Sequence, residues 1–154
     1  MKNIVIEAGS LLCYAIETLN YERVLHPFFT STFKNGEQKF EQFKDLSYES
    51  SIPKAIEAFH SNCSDADGGI VIYPAEIEEN NKRLPVIIVM IKEYSQNRHL
   101  TIAQHYTLKD GHYSPALYEL LDFSLFLADE LRDLEQAFLA GTETYARLHK
   151  ITEA

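Results

Sequence analysis

A chain of 154 residues with 45% hydrophobic residues, 12% aromatics, 6 Gly and 5 Pro has the length of one domain and can bury its own core, which excludes a disordered or low-complexity protein. Its formal charge of −9 is unevenly placed: residues 110–140 hold seven acids and one base, and residues 63–81 hold five acids and no base. Phosphate binding needs clustered Lys and Arg, so this balance argues against nucleic acid and membrane surfaces and favours a basic protein partner.

The longest apolar run, Leu84 to Ile91, is far shorter than the roughly 20 residues of a spanning helix. Cys13 and Cys63 form no CxxC pair, so neither a disulfide framework nor a structural zinc site is expected, and both read as buried free thiols. The expectation is one cytoplasmic domain over residues 1–154.

In chain order, Ile4, Ala8, Leu11, Leu12, Ala15, Ile16 and Leu19 recur at helical spacing and predict a first helix. Phe29 and Phe33 precede Lys34-Asn35-Gly36, and Phe40 and Phe43 follow. Asn-Gly supplies the positive φ angles of a tight turn, which predicts a hairpin. Ser51-Ile52-Pro53 reads as a helix start, with Ile52, Ile56 and Phe59 on one side and a break over 61–69.

Three strands are predicted next. Ile70 to Tyr73 is β-branched and aromatic; Leu84 to Ile91 is apolar without alternation, as in a strand covered on both sides; His99 to Leu108 alternates. Pro74 places the first of these at an edge or bulge. Short polar connections make them an antiparallel meander.

Ser114-Pro115 reads as the opening of a long helix or helix pair. Within it Leu127, Leu131, Leu134, Phe138, Gly141, Tyr145 and Leu148 form one stripe, widened by Leu121, Leu125 and Ala128. Gly141-Thr142 is a candidate interruption. The opposite side carries Asp129, Glu130, Asp133 and Glu135. The predicted class is α+β, an antiparallel sheet of about five strands flanked by helices, with a long C-terminal helix. The element order resembles that of profilin-like folds such as the roadblock, PAS and GAF domains, a likeness of fold that carries no function.

His99 and His105 lie six residues apart on one strand, about 20 Å, too far to share an ion. Asp65-Ala66-Asp67-Gly68-Gly69 fails the register of a calcium loop, since Cys63 and Pro74 fall where ligands are needed, and reads as a turn. Glu76, Glu78 and Glu79 lack a companion lysine or phosphate loop. No catalytic residue, cofactor or metal is therefore expected. The function predicted is an acidic, non-catalytic adaptor or inhibitor, immunity- or chaperone-like, that forms a homodimer and binds a basic protein through Asp129, Glu130, Asp133 and Glu135. The alternatives are a small-molecule sensor with a pocket lined by Tyr73, Tyr94, His105 and Tyr106, and an unrecognised hydrolase.

Overall fold

The computed structural model describes residues 1–44, 47–123 and 125–153, without the side chains of 148–153. The described residues form three helices and one antiparallel sheet of six strands, in the spatial order β2-β1-β3-β4-β5-β6. Helix α1 (Lys2–Glu22) buries Val5, Ala8, Leu12, Ala15, Ile16 and Leu19, a spacing of three and four that keeps one side on the sheet. Arg23, left-handed at φ 63°, ends it by returning its N–H to the Leu19 carbonyl.

Strands β1 (Phe28–Thr32) and β2 (Gln38–Gln42) pair as the predicted hairpin, with Gly36 at φ 88° in the turn. Every β1 residue is buried because the strand is covered twice: Phe28 enters the core under α1, whereas Phe29 packs on Phe59 of helix α2 (Tyr48–Ser61). That helix starts at Tyr48, ahead of the predicted Ser51-Ile52-Pro53, and Pro53 lies inside it. Its buried line is Ser51, Ala55 and Phe59, so Ile52 and Ile56 sit only half-covered at its flanks.

The meander is longer than predicted by one strand. It comprises β3 (Gly68–Glu79), β4 (Lys82–Glu93), β5 (Arg98–Lys109) and β6 (His112–Asp122), each antiparallel to the next. Asn80-Asn81 and Asp110-Gly111 all have positive φ, the requirement of two-residue hairpin turns. Pro74 lies just beyond the stretch Gly68–Ile72 that pairs with β1, where β3 has β4 as its paired neighbour. Ser114-Pro115 does not open a helix. Pro115 stands in β6 opposite Tyr106, where the register shifts and an edge strand loses little by lacking an N–H.

Helix α3 (Ala128–Glu153) therefore begins later than expected and runs through Gly141-Thr142 without a break. Its buried line is Leu134, Ala137, Phe138 and Gly141, packed chiefly on α1 rather than straight onto the sheet. Leu131 and Tyr145 are half-buried and Leu127, ahead of the helix, is exposed; the side chain of Leu148 lies outside the described residues. Leu121 belongs to β6 and Leu125 to the connection, so neither widens a helical stripe. Cys13 is half-buried beneath α3, and Cys63 is exposed, not buried as expected. Among the described residues no helix is long and apolar enough to cross a membrane.

Candidate functional site: the β6 edge and the face beside it

The two edges of the sheet differ sharply. Strand β2 is five residues long, and Gln38, Lys39 and Glu41 stand exposed along it, which blunts it against further pairing. Strand β6 is eleven residues long and pairs with β5 alone among the described residues. It exposes Leu117 (67%) and Leu121 (49%) near its two register shifts, and the chain continues into exposed Phe123, Leu125 and Leu127 (73%) before α3 begins. Asn20 of α1 occupies the Tyr113 N–H and C=O, and Pro115 interrupts the edge next, so the part of β6 from Leu117 on, with its apolar side chains, is what is left as a template for another strand.

On the sheet face away from α1, helix α2 packs chiefly over β1 and β3, with Met90 of β4 at the margin of its cluster. The β4–β6 half of that face carries two parallel ties between β5 and β6. His105 Nε2 lies 2.7 Å from Glu119 Oε2, and His99 Nε2 lies 2.7 Å from Asp122 Oδ2. Glu79, at the tip of the β3–β4 hairpin, joins the first tie: a ligand atom of Glu79, His105 and Glu119 all lie within 4.8 Å of one another. Val86, Ile88 and Ala103 form the apolar floor nearby. A crevice of 270 Å³ lined by Phe59, Met90, His99, Asp122 and Leu125 opens where α2 ends beside this face.

The predicted acidic face is partly spent inside the molecule. Glu130 binds Arg98 at 2.9 Å, and Arg98 also lies 3.5 Å from Glu93. Glu135 accepts the Tyr118 hydroxyl at 2.8 Å; burial, then Glu135, pushes that phenol up to about 12. Asp129 and Asp133 are exposed.

The four predicted pocket residues are dispersed. Tyr73 and His105 share the face away from α1, with the Tyr73 hydroxyl 3.7 Å from Met90 Sδ. Tyr94 reaches under the end of α2 to donate to the Phe59 carbonyl, and burial raises its pKa. Tyr106 lies on the α1 side, edge-on to Tyr113 with ring centres 5.6 Å apart, in a cleft of 510 Å³ shared with Leu25, Tyr48 and Ile87. The turn expected at Asp65-Ala66-Asp67-Gly68-Gly69 is held by Asn62, whose side chain bonds Ala66 in both directions, while Asp67 accepts the Lys34 N–H at 2.7 Å; Gly68 and Gly69 already belong to β3.

Neither the exposed β6 strip nor the Glu79–His105–Glu119 cluster is visible as a local motif. The three residues come from three strands, and Glu119, paired with Ala103, meets His105 as a diagonal neighbour across β5 and β6. The available signals were Asn80-Asn81, which fixes Glu79 at a hairpin end, and the leucines after Pro115. Comparison with protein-family models, curated proteins and solved structures finds no match for this chain.

Proposed function

We propose that the chain is a small acidic, non-catalytic binding protein of the cytoplasm, an adaptor or inhibitor of the immunity or chaperone kind, that accepts a basic strand of another protein along β6. The observation carrying this reading is the stretch of the β6 edge beyond Pro115, whose exposed Leu117 and Leu121 run on into Phe123, Leu125 and Leu127. Backbone pairing would supply affinity, the leucines would select apolar side chains, and the adjoining 270 Å³ crevice offers an anchor position. The net charge of −9 favours a cationic partner and faster encounter. A second copy, pairing β6 to β6, would use the same edge and give the homodimer expected from the sequence.

Affinity capture with wild-type and Leu117→Ser/Leu121→Ser baits tests the reading. A basic protein retained by the wild type and lost from the variant, with new hydrogen-exchange protection in β6 of the complex, is the expected result. A partner held equally by both, with β6 unprotected, removes the proposal. Light scattering then separates the two occupants, since a chain of 17.7 kDa that doubles its mass without any partner assigns β6 to self-pairing.

A second reading, a small-molecule sensor, draws on the 510 Å³ cleft, where Tyr48, Tyr106 and Tyr113 surround apolar Leu25 and Ile87. Only Tyr106 of the predicted pocket residues lines it.

A further inference from the structure

We propose that Glu79, His105 and Glu119 form a binding site for a divalent transition metal ion, of the type that zinc fills, on the sheet face away from α1. The donor set is one imidazole nitrogen and two carboxylates, which suits zinc better than the all-oxygen preference of magnesium or calcium. Convergence is the main argument. Glu79 sits at a hairpin tip, His105 two strands away on β5 and Glu119 on β6, yet a ligand atom of each falls within 4.8 Å of the others.

A tie between His105 and Glu119 alone would not require Glu79. Bringing a second carboxylate to the same imidazole sets two negative groups side by side, an arrangement that a dication relieves. Zinc holds N and O ligands at about 2.0–2.2 Å, which spaces ligand atoms on a tetrahedron about 3.4 Å apart. The 2.7 Å His105–Glu119 hydrogen bond would therefore open slightly and Glu79 would close in. His105 is the best-fixed ligand, with a side chain only 12% exposed, whereas Glu119 is 41% exposed. Three protein ligands leave the fourth position to water or to a donor from a bound partner. The bound ion would clamp β6 to the β3–β4 hairpin across β4 and β5, stiffening the edge described above. The site is independent of the strand-docking reading, because a metal can bind whether or not a partner does.

The test uses the full chain carrying Cys63→Ser, which removes the exposed thiol as a competing ligand. After chelator treatment, Zn²⁺ alone is titrated by calorimetry and by thermal melting. Expected are one Zn²⁺ per chain and a Tm that rises with Zn²⁺ concentration, as linkage requires. Glu79→Gln and Glu119→Gln should each weaken binding by roughly tenfold or more, while Glu57→Gln, on the exposed side of α2, leaves it unchanged. Circular dichroism confirms that the variants fold. Absence of saturable binding up to about 1 mM Zn²⁺, a range far weaker than any specific site, overturns the proposal. So does binding that survives both Glu→Gln variants.

Discussion

Gly9 of α1 and Gly141 of α3 face each other where the two helix backbones touch. A Cβ on Gly9 would collide with the Phe138 carbonyl oxygen and stand 3.0 Å from the Thr142 nitrogen. One on Gly141 would collide with the Ile6 carbonyl and stand 3.1 Å from the Ser10 nitrogen. The approach also lets Ser10 donate its hydroxyl to the Gly141 carbonyl at 3.0 Å.

Gly141→Ala therefore sets two effects against each other. Alanine gains about 1 kcal/mol over glycine in a helix interior, but here its methyl would overlap backbone, which cannot rotate away as a side chain can. Overpacking should win, with a net loss of about 1–3 kcal/mol. A denaturant midpoint that rises in Gly141→Ala would show that the helices stand further apart.

The α3 stripe should be graded in stability rather than uniform. Leu134 is 6% exposed and Leu131 only half-buried, while Leu127 is 73% exposed. Leu134→Ala is expected to cost about 2–5 kcal/mol, Leu131→Ala about 1, and Leu127→Ala less than about 0.5. Chemical denaturation of the three variants checks the order. Equal losses at 131 and 134 would return the helix to the uniform stripe read from its spacing.

Where the sequence was legible, a local rule governed the element. Helical spacing located α1 and α3, Asn35-Gly36 located the first hairpin, and the unbroken apolar run at 84–91 located the strand covered on both sides. Strand β6 was missed because Ser114-Pro115 satisfies two rules at once: it starts helices, and it also fits an edge strand at a bulge. Only pairing with β5, a nonlocal interaction, decides between them. The candidate site was hidden for the same reason. His105 and Glu119 lie 14 positions apart, and Glu79 a further 26 upstream of His105, so no spacing rule connects them. The acidic helix face was legible as composition, but not the Arg98 and Tyr118 partners that occupy half of it.

Glu7 should make stability pH-dependent. It lies half-buried on α1 beside a cleft shared with Asp67 and Glu93, and its Oε1 has no hydrogen-bonding partner among the described residues. Burial pushes its carboxyl from the ordinary 4.5 up to about 7. The folded chain therefore holds this proton more tightly than the unfolded chain, and stability from the neutral form is complete below pH 4.5 and lost as pH rises through 7. Glu7→Gln, permanently neutral, should raise stability at pH 8 by about 1–2 kcal/mol, allowing for partial solvation, and change it little at pH 4. Melting curves of both proteins at the two pH values provide the check. A gain independent of pH would place its origin in the amide and not in the titration.

The acidic face of α3 can be tested cleanly at only two of its four positions. Reversing Glu130 or Glu135 would break the Arg98 pair or the Tyr118 hydrogen bond, so a loss of binding there would be confounded with a loss of packing. Asp129 and Asp133 are exposed. Asp129→Lys/Asp133→Lys shifts the net charge from −9 to −5, two units for each reversal. Because Asp129 lies in the first turn of α3, where a cation opposes the helix dipole, the pair should cost about 1 kcal/mol of stability, short of unfolding the domain. Association with a captured basic partner should slow, and its rate should depend less on salt, because steering scales with the field and is screened beyond about 10 Å at 0.1 M salt. Dissociation should change little, since the proposed contact lies along β6. Stopped-flow rates at two salt concentrations separate these effects. Unchanged association in the doubly reversed chain would reduce the acidic face to a solvated surface and leave recognition to the β6 edge alone.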